Sequence, residues 1–316
     1  MRCWVVGASG LLGQGVVRQA RREGWDLTTS VVPWHDPDSA VQTLTRDVRA
    51  FLDADPGSPW AIAWCAGAGV VGTSREALEA ELAVFTGFLD ALAPAVVERD
   101  AAARGGMFVA SSAGGVYAGA SAPPFTEHTE PRPLAPYGEF KLLAEAQVAE
   151  LVRRTGLPVM VGRISNLFGP GQDLTKAQGL VSQVGRSCLT RQPISMYVSL
   201  DTMRDYLFVD DCAQMVTGAL ERLVAAAPSF DGPVTKILAA GRSTTIAAVL
   251  GEYRRVFKRP PPVVLASSAA SRFQVRDLRL RSVVWTELDG HARTPLGAGI
   301  AATVRDVSDR LNAPIV

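Results

Sequence analysis

A glycine-rich turn stands directly behind the first apolar run of this chain: Arg2-Cys3-Trp4-Val5-Val6 leads into Gly7-Ala8-Ser9-Gly10-Leu11-Leu12-Gly13. A helical pattern follows to Glu23, where Gly24 stops it. A strand that passes at once into a helix needs a residue tolerant of unusual φ and backbone that nothing obstructs, so the glycines commit the opening residues to a β-turn-α unit. The unpaired N–H groups of such a helix point beyond the strand end, an arrangement suited to the pyrophosphate of a dinucleotide.

β-rich apolar runs and helical patterns then alternate. Strands are predicted at residues 2–6, 26–32, 60–65, 106–111 and 157–164. Between them lie a helix capped by Ser39, with Val41, Leu44, Val48, Phe51 and Leu52 on its apolar face, a helix over Glu76–Leu92, and one from Tyr137 to Thr155 that Gly156 and Pro158 end. This alternation predicts an α/β protein with a Rossmann-type doubly wound parallel sheet. Beyond Arg163 the chain becomes turn-rich, with one clear helix at Leu180–Leu189, and a return strand is predicted at Tyr206–Val209 before an Asp210-Asp211 helix start and a strand at Val234–Leu238. A helix capped at Ser243, a proline link at 260–262 and a closing helix after Pro295 make the tail. The expected division is a dinucleotide-binding domain over 1–165 with a return segment near 205–240, and a smaller C-terminal substrate-binding α/β region from 166–204 and 241–316.

With 32 basic and 31 acidic residues interspersed, the chain has no basic stripe for nucleic acid and no polybasic membrane patch. No apolar run reads as membrane-spanning and no signal peptide precedes the first strand, so a cytoplasmic protein with a small-molecule partner is expected. Cys3, Cys65, Cys188 and Cys212 form no CxxC pair and read as reduced core thiols, and His35, His128 and His291 lack ligand spacing, so no metal is expected.

Three groups of residues could carry chemistry. The glycine turn is the first. The second is the small and hydroxyl residues at two strand ends, Cys65-Ala66-Gly67-Ala68-Gly69 and Ser111-Ser112-Ala113-Gly114-Gly115-Val116-Tyr117, since ligands of open parallel sheets lie beyond the carboxyl ends of the strands. The third is Tyr137 and Lys141, one helical turn apart. A phenol is a poor base at neutral pH; an ammonium on the same helix face favours its phenolate and can reach a cofactor ribose as well.

GASGLLG, SSAGGVY, the Tyr137-Gly138-Glu139-Phe140-Lys141 motif, the segment Arg163–Gln172 and the segment Arg204–Asp211 occur in the order found in extended short-chain dehydrogenases/reductases. The chain resembles their NAD-dependent epimerase/dehydratase branch, from residue 1 to about 220. The resemblance implies an NAD(P)-dependent nucleotide-sugar epimerase or ketoreductase, active as a homodimer. Tyr137 would be the acid/base, Lys141 its partner and ribose ligand, and Ser112 the hydroxyl beside them. Gly7, Ser9, Gly10, Leu11, Leu12 and Gly13 would line the pyrophosphate, and Cys65, Ala66 and Gly67 a ribose; Ser111 and Ile164 would complete the cofactor site. Asn166 and Arg204 would hold the substrate diphosphate.

Three departures qualify the resemblance. Ala113 occupies the usual place of the serine, so Ser112 is assigned the role through a one-residue shift, with Ser111 as its substitute. The second strand ends Ser30-Val31-Val32-Pro33-Trp34-His35 without a ribose-binding acid, so Trp34 is assigned to the adenine and the cofactor is written NAD(P), with a slight lean to NADP; Asp47 reads as a solvated charge. Ala83 replaces the family's usual asparagine, and nearby Glu81 reads as a helix-surface carboxylate. Ala113-Gly114-Gly115 supplies no acid and base, which disfavours dehydration. Reduction of a non-sugar carbonyl and a non-catalytic NAD(P) sensor are the alternatives.

Overall fold

The computed structural model describes residues 1–175, 179–225, 232–266 and 275–312. The first half comprises β1 (Arg2–Val6), α1 (Leu11–Arg22), β2 (Asp26–Thr29), α2 (Pro37–Asp53), β3 (Trp60–Trp64), α3 (Arg75–Glu98), β4 (Gly105–Ser112), the single-turn α4 (Ala113–Val116), α5 (Pro136–Thr155) and β5 (Val159–Ile164). Then come β6 (Asn166–Phe168), α6 (Leu180–Thr190), β7 (Ile194–Met196), β8 (Met203–Phe208), α7 (Val209–Ala225) and β9 (Val234–Leu238). β10 (Ser243–Thr245), α8 (Ile246–Phe257), β11 (Val263–Leu265), β12 (Asp277–Leu278) and α9 (Leu296–Asn312) follow.

Six strands make one parallel sheet in the order β2-β1-β3-β4-β5-β9. Leaving β1, the chain steps first to β2 on one side, then to β3 on the other. The crevice beyond the carboxyl ends of β1 and β3 is therefore the switch point at which doubly wound sheets bind ligands.

Side-chain alternation divides the core in two. Trp4 and Val6 of β1, Trp60, Ile62 and Trp64 of β3, and Met107 and Val109 of β4 pack with α2, α3 and α5. Cys3, Val5, Ala61, Ala63 and Phe108 turn to the opposite face, against α1 and α7. The first face is aromatic, with Trp64 stacked on Phe88 at 4.7 Å. The second presents alanines at the centre of β3, small enough for a helix to lie close to the sheet, and α7 packs there.

Beyond β5, apart from β8 and β9, the strands have three residues or fewer. β8 joins β10 and β12 and also pairs with β6, while β7 pairs with β11. α6, α8 and α9 share a separate cluster around Val181, Val184, Val249, Tyr253, Ile300 and Val304.

Several boundaries differ from the sequence-based expectation. β2 ends at Thr29 rather than residue 32. The cap of α2 is Asp36, not Ser39: Asp36 Oδ1 accepts from Asp38 N–H at 3.2 Å and Ser39 N–H at 3.4 Å, with Pro37 opening the helix. Pro at the first helical position lacks an N–H that would be unpaired there in any case, which moves the start upstream. α3 continues past Leu92 to Glu98 through Pro94, because Ala95 and Val96 are buried. It is long and apolar enough to cross a membrane, contrary to the reading above, but half of its apolar window is buried in this fold. Thr245, not Ser243, caps α8, since Ser243 belongs to β10.

Candidate active site

A cleft of about 480 Å³ opens at the switch point; Gly7, Ser9, Gly10, Trp34, Cys65, Ala66, Gly67, Tyr137 and Lys141 line it together with Glu81. At its floor, Gly7 takes φ +83°, and a side chain there would put Cβ 2.6 Å from Ala66 N. Backbone meets backbone at this point, so the glycine is required by both conformation and space. Gly13 is as tightly held, its would-be Cβ 2.1 Å from Gly7 O, whereas a Cβ at Gly10 would meet only Gly7 O at 3.4 Å. Room at Gly10 thus lies toward the cleft. α1 begins there with no side-chain cap and no acid in its first turn, leaving its first N–H groups to an anion in the cleft. Leu12 and Gly13 are buried behind that turn and Leu11 is half-buried, so only their backbone could serve a ligand.

Tyr137 enters from the first turn of α5. Gly138 packs on α4 so closely that a Cβ would lie 2.2 Å from Gly115 O, while one on Gly115 would lie 3.0 Å from Tyr137 Cε1. This glycine-on-glycine contact fixes the phenol against the end of β4. Lys141 Nζ stands 5.6 Å from the centre of the Tyr137 ring. Ser112 caps α4, its Oγ accepting from Gly115 N–H at 3.1 Å, so hydroxyl and phenol flank the same glycine. The hydroxyl hydrogen of Ser112 remains able to donate.

Ser111, expected as a cofactor contact and substitute for Ser112, points elsewhere. Its Oγ donates to Glu145 Oε1 at 2.6 Å, and Glu145 also receives Arg163 Nη2 at 2.6 Å. Arg163 Nη1 donates to Tyr117 Oη at 2.6 Å, and Tyr117 in turn donates to Thr126 O. Burial pushes the Tyr117 phenol above its usual range, against the pull of the Arg163 guanidinium. Ile164 is buried at the end of β5.

On the second-layer side, Asn166 Nδ2 donates to Asp205 O at 2.9 Å and Arg204 Nη1 to Met203 O at 2.8 Å. Neither lines the cleft. Burial disfavours the charge of Arg204 and pushes its guanidinium down. At the other end of the cleft, Trp34 is 44% exposed and meets Trp64 edge-on at 6.3 Å, while Asp36 is taken up with capping α2.

Glu81 is the residue that sequence reasoning passed over. Its Oε2 accepts from Ala68 N–H at 2.8 Å and Gly69 N–H at 2.9 Å, and its Oε1 lies 3.6 Å from Lys141 Nζ. The reading as a mere surface carboxylate is corrected by these contacts. Among the described residues no cluster of His, Cys, Asp or Glu could hold a metal ion.

Residues 3–230 match the model of the NAD dependent epimerase/dehydratase family. The chain belongs to this family. Within it, the dTDP-L-rhamnose 4-epimerase of Burkholderia thailandensis is 33% identical over 120 residues, 37% of this chain and 33% of the relative. The match thus spans about a third of that relative's length. The solved structure described as MoeE5 in complex with UDP-glucose and NAD covers 99% of this chain and 100% of its own, with a TM-score of 0.79 at 22% identity. RMD from Pseudomonas aeruginosa complexed with NADPH covers 98% of this chain and 99% of its own, with a TM-score of 0.75 at 20% identity. At these identities the structural likeness establishes the fold.

Proposed function

We propose that this family member is an NAD(P)-dependent nucleotide-sugar epimerase or ketoreductase. The observation that carries the reading is the convergence of Tyr137 and Lys141 with the uncapped glycine turn on one cleft. Family relatives that act on or bind dTDP- and UDP-sugars support the substrate class. The pyrophosphate is assigned to Gly7, Ser9, Gly10, Leu11, Leu12 and Gly13, a ribose to Cys65, Ala66, Gly67 and Lys141, and the adenine to Trp34. Lack of an acid facing the cleft after β2 favours NADP, although no arginine near Trp34 lines the cleft for a 2′-phosphate.

When bound, the nicotinamide accepts and returns hydride. Tyr137 takes the proton of a sugar hydroxyl as the carbonyl forms and gives it back as the carbonyl is reduced. Ser112 donates a hydrogen bond to the same oxygen, and Lys141 keeps positive charge beside the phenol. Asn166 and Arg204 are assigned to the diphosphate; an anion would offset the cost of burying the Arg204 guanidinium. Epimerisation and reduction use these residues alike and differ in whether the ketone is reduced again before release.

The test is turnover on UDP- and dTDP-sugars with NAD and NADP. Tyr137→Phe should lower turnover about 10²- to 10⁴-fold while cofactor affinity is kept. Unchanged turnover in that variant, or cofactor binding by the natural chain without turnover on any of these sugars, overturns the reading.

A further inference from the structure

Glu81 does more than hold a loop. Its Oε2 receives two backbone donors, from Ala68 and Gly69, whereas Oε1 receives neither and stands 3.6 Å from Lys141 Nζ. That separation is an ion-pair distance, longer than an N–H···O hydrogen bond. Gly67 borders the gap: a side chain on it would place Cβ 3.2 Å from Glu81 Oε1 and 3.4 Å from Lys141 Nζ. Bare glycine at 67 therefore leaves a carboxylate oxygen and an ammonium side by side on the wall of the cleft that Tyr137 also lines. Both groups are largely shielded, with side chains 30% and 16% exposed, so a ligand that meets them displaces little water.

An acceptor and a donor so placed complement two neighbouring hydroxyls, one donating to the carboxylate and the other accepting from the ammonium. A carboxylate is also the group by which doubly wound folds commonly hold the other ribose of a dinucleotide. The negative charge argues against a phosphate in this slot. We propose that Glu81 and Lys141 form a diol-binding pair for the ribose on the nicotinamide side of NAD(P), which makes Glu81 a cofactor-binding residue. The proposal rests on reading the cleft as an NAD(P) site.

The experiment measures binding to the full chain, with no sugar present, through the fluorescence of Trp34 and Trp64 on the cleft wall. The probes are NAD, ADP-ribose and ADP, or their 2′-phosphorylated counterparts if NADP binds more tightly. Glu81→Gln should weaken the dinucleotide and the ADP-ribose about tenfold or more and leave ADP unchanged, since only the first two carry the second ribose. Equal weakening of all three would mean that the variant disturbs the loop against Gly7, and no weakening would mean that Glu81 meets no ligand; either overturns the proposal. A second measurement does not depend on the variant folding. A dinucleotide lacking the 2′-hydroxyl of the nicotinamide ribose should bind the natural chain about tenfold more weakly, and equal affinity also overturns the proposal. Failure of the natural chain to bind either dinucleotide would instead strike the reading of the cleft.

Discussion

The parallel sheet and the smaller layer beyond β5 hold together by different means. In the sheet, β1, β3, β4 and β5 run for five, five, eight and six residues and are buried along almost their whole length. In the smaller layer, β6, β7, β10 and β11 have three residues each and β12 has two. Strands that short bury little beside the six-residue β8, and interior polar bonds add to the apolar cluster of α6, α8 and α9 in fixing them. Asp205, wholly buried, accepts from Ala240 N–H and Arg242 N–H, Asn166 bonds the Asp205 carbonyl, and the Tyr253 hydroxyl donates to Val181 O. The floor of the cleft is thus set by hydrophobic alternation, while the assigned diphosphate ligands sit in a layer where buried polar contacts join the apolar packing.

The contrast is not complete, since the sheet also buries polar groups, Lys236 of β9 with Asp289 and Arg163 of β5 with Glu145, and the largest expected effect tests the second pair. Glu145 and Arg163 pair at 2.6 Å with side chains 11% and 8% exposed, between α5 and β5 and just behind Ser111. Glu145→Ala would leave a guanidinium buried without its partner and should cost about 3–5 kcal/mol, read as a lowered denaturation midpoint. A loss below about 1 kcal/mol would mean that apolar packing alone carries this side.

Arg204→Ala gives the next largest effect. Affinity for UDP- or dTDP-sugars should fall about 10- to 100-fold, as for a lost hydrogen bond to a charged group, while NAD(P) affinity is kept. Equal losses for both ligands would erase the functional difference between the two layers.

The smallest effect concerns pH. Burial raises the Asp205 carboxyl above its ordinary value of 3.8, against the pull of the backbone N–H groups it accepts from. A raised carboxyl favours the folded state below the unfolded value and loses that contribution as pH climbs through the folded one. The natural chain minus Asp205→Asn should therefore show a stability difference that declines as pH rises from about 3.8. A difference that is flat with pH, in denaturation curves of the two proteins, would mean that Asp205 titrates alike folded and unfolded.

The strand-turn-helix opening, the long strands and the Tyr137–Lys141 spacing were legible because each is a local pattern with a fixed period or a fixed offset. The start of α2 was misjudged because Asp36 and Ser39 are both good caps, and Pro37 decided between them. Ser111 and Ser112 could not be told apart from their spacing. Neighbours on a strand face opposite sides, and only the place of Glu145 behind Ser111 shows which hydroxyl is turned away. Glu81 gave no signal beyond being one of several carboxylates on its helix, since its partners lie 12 and 13 positions upstream and, in Lys141, on a different helix.

The amino-acid sequence by itself determined the α/β alternation, the glycine turn and the one-turn spacing of Tyr137 and Lys141, because periodicity and short offsets act within a single element. Only the tertiary structure decided that Gly115 and Gly138 clamp Tyr137 in place, that Ser111 belongs to a buried ion pair, and that Glu81 faces Lys141 across Gly67. Those relations join residues from different elements, and their distances are set by how the helices pack on the sheet.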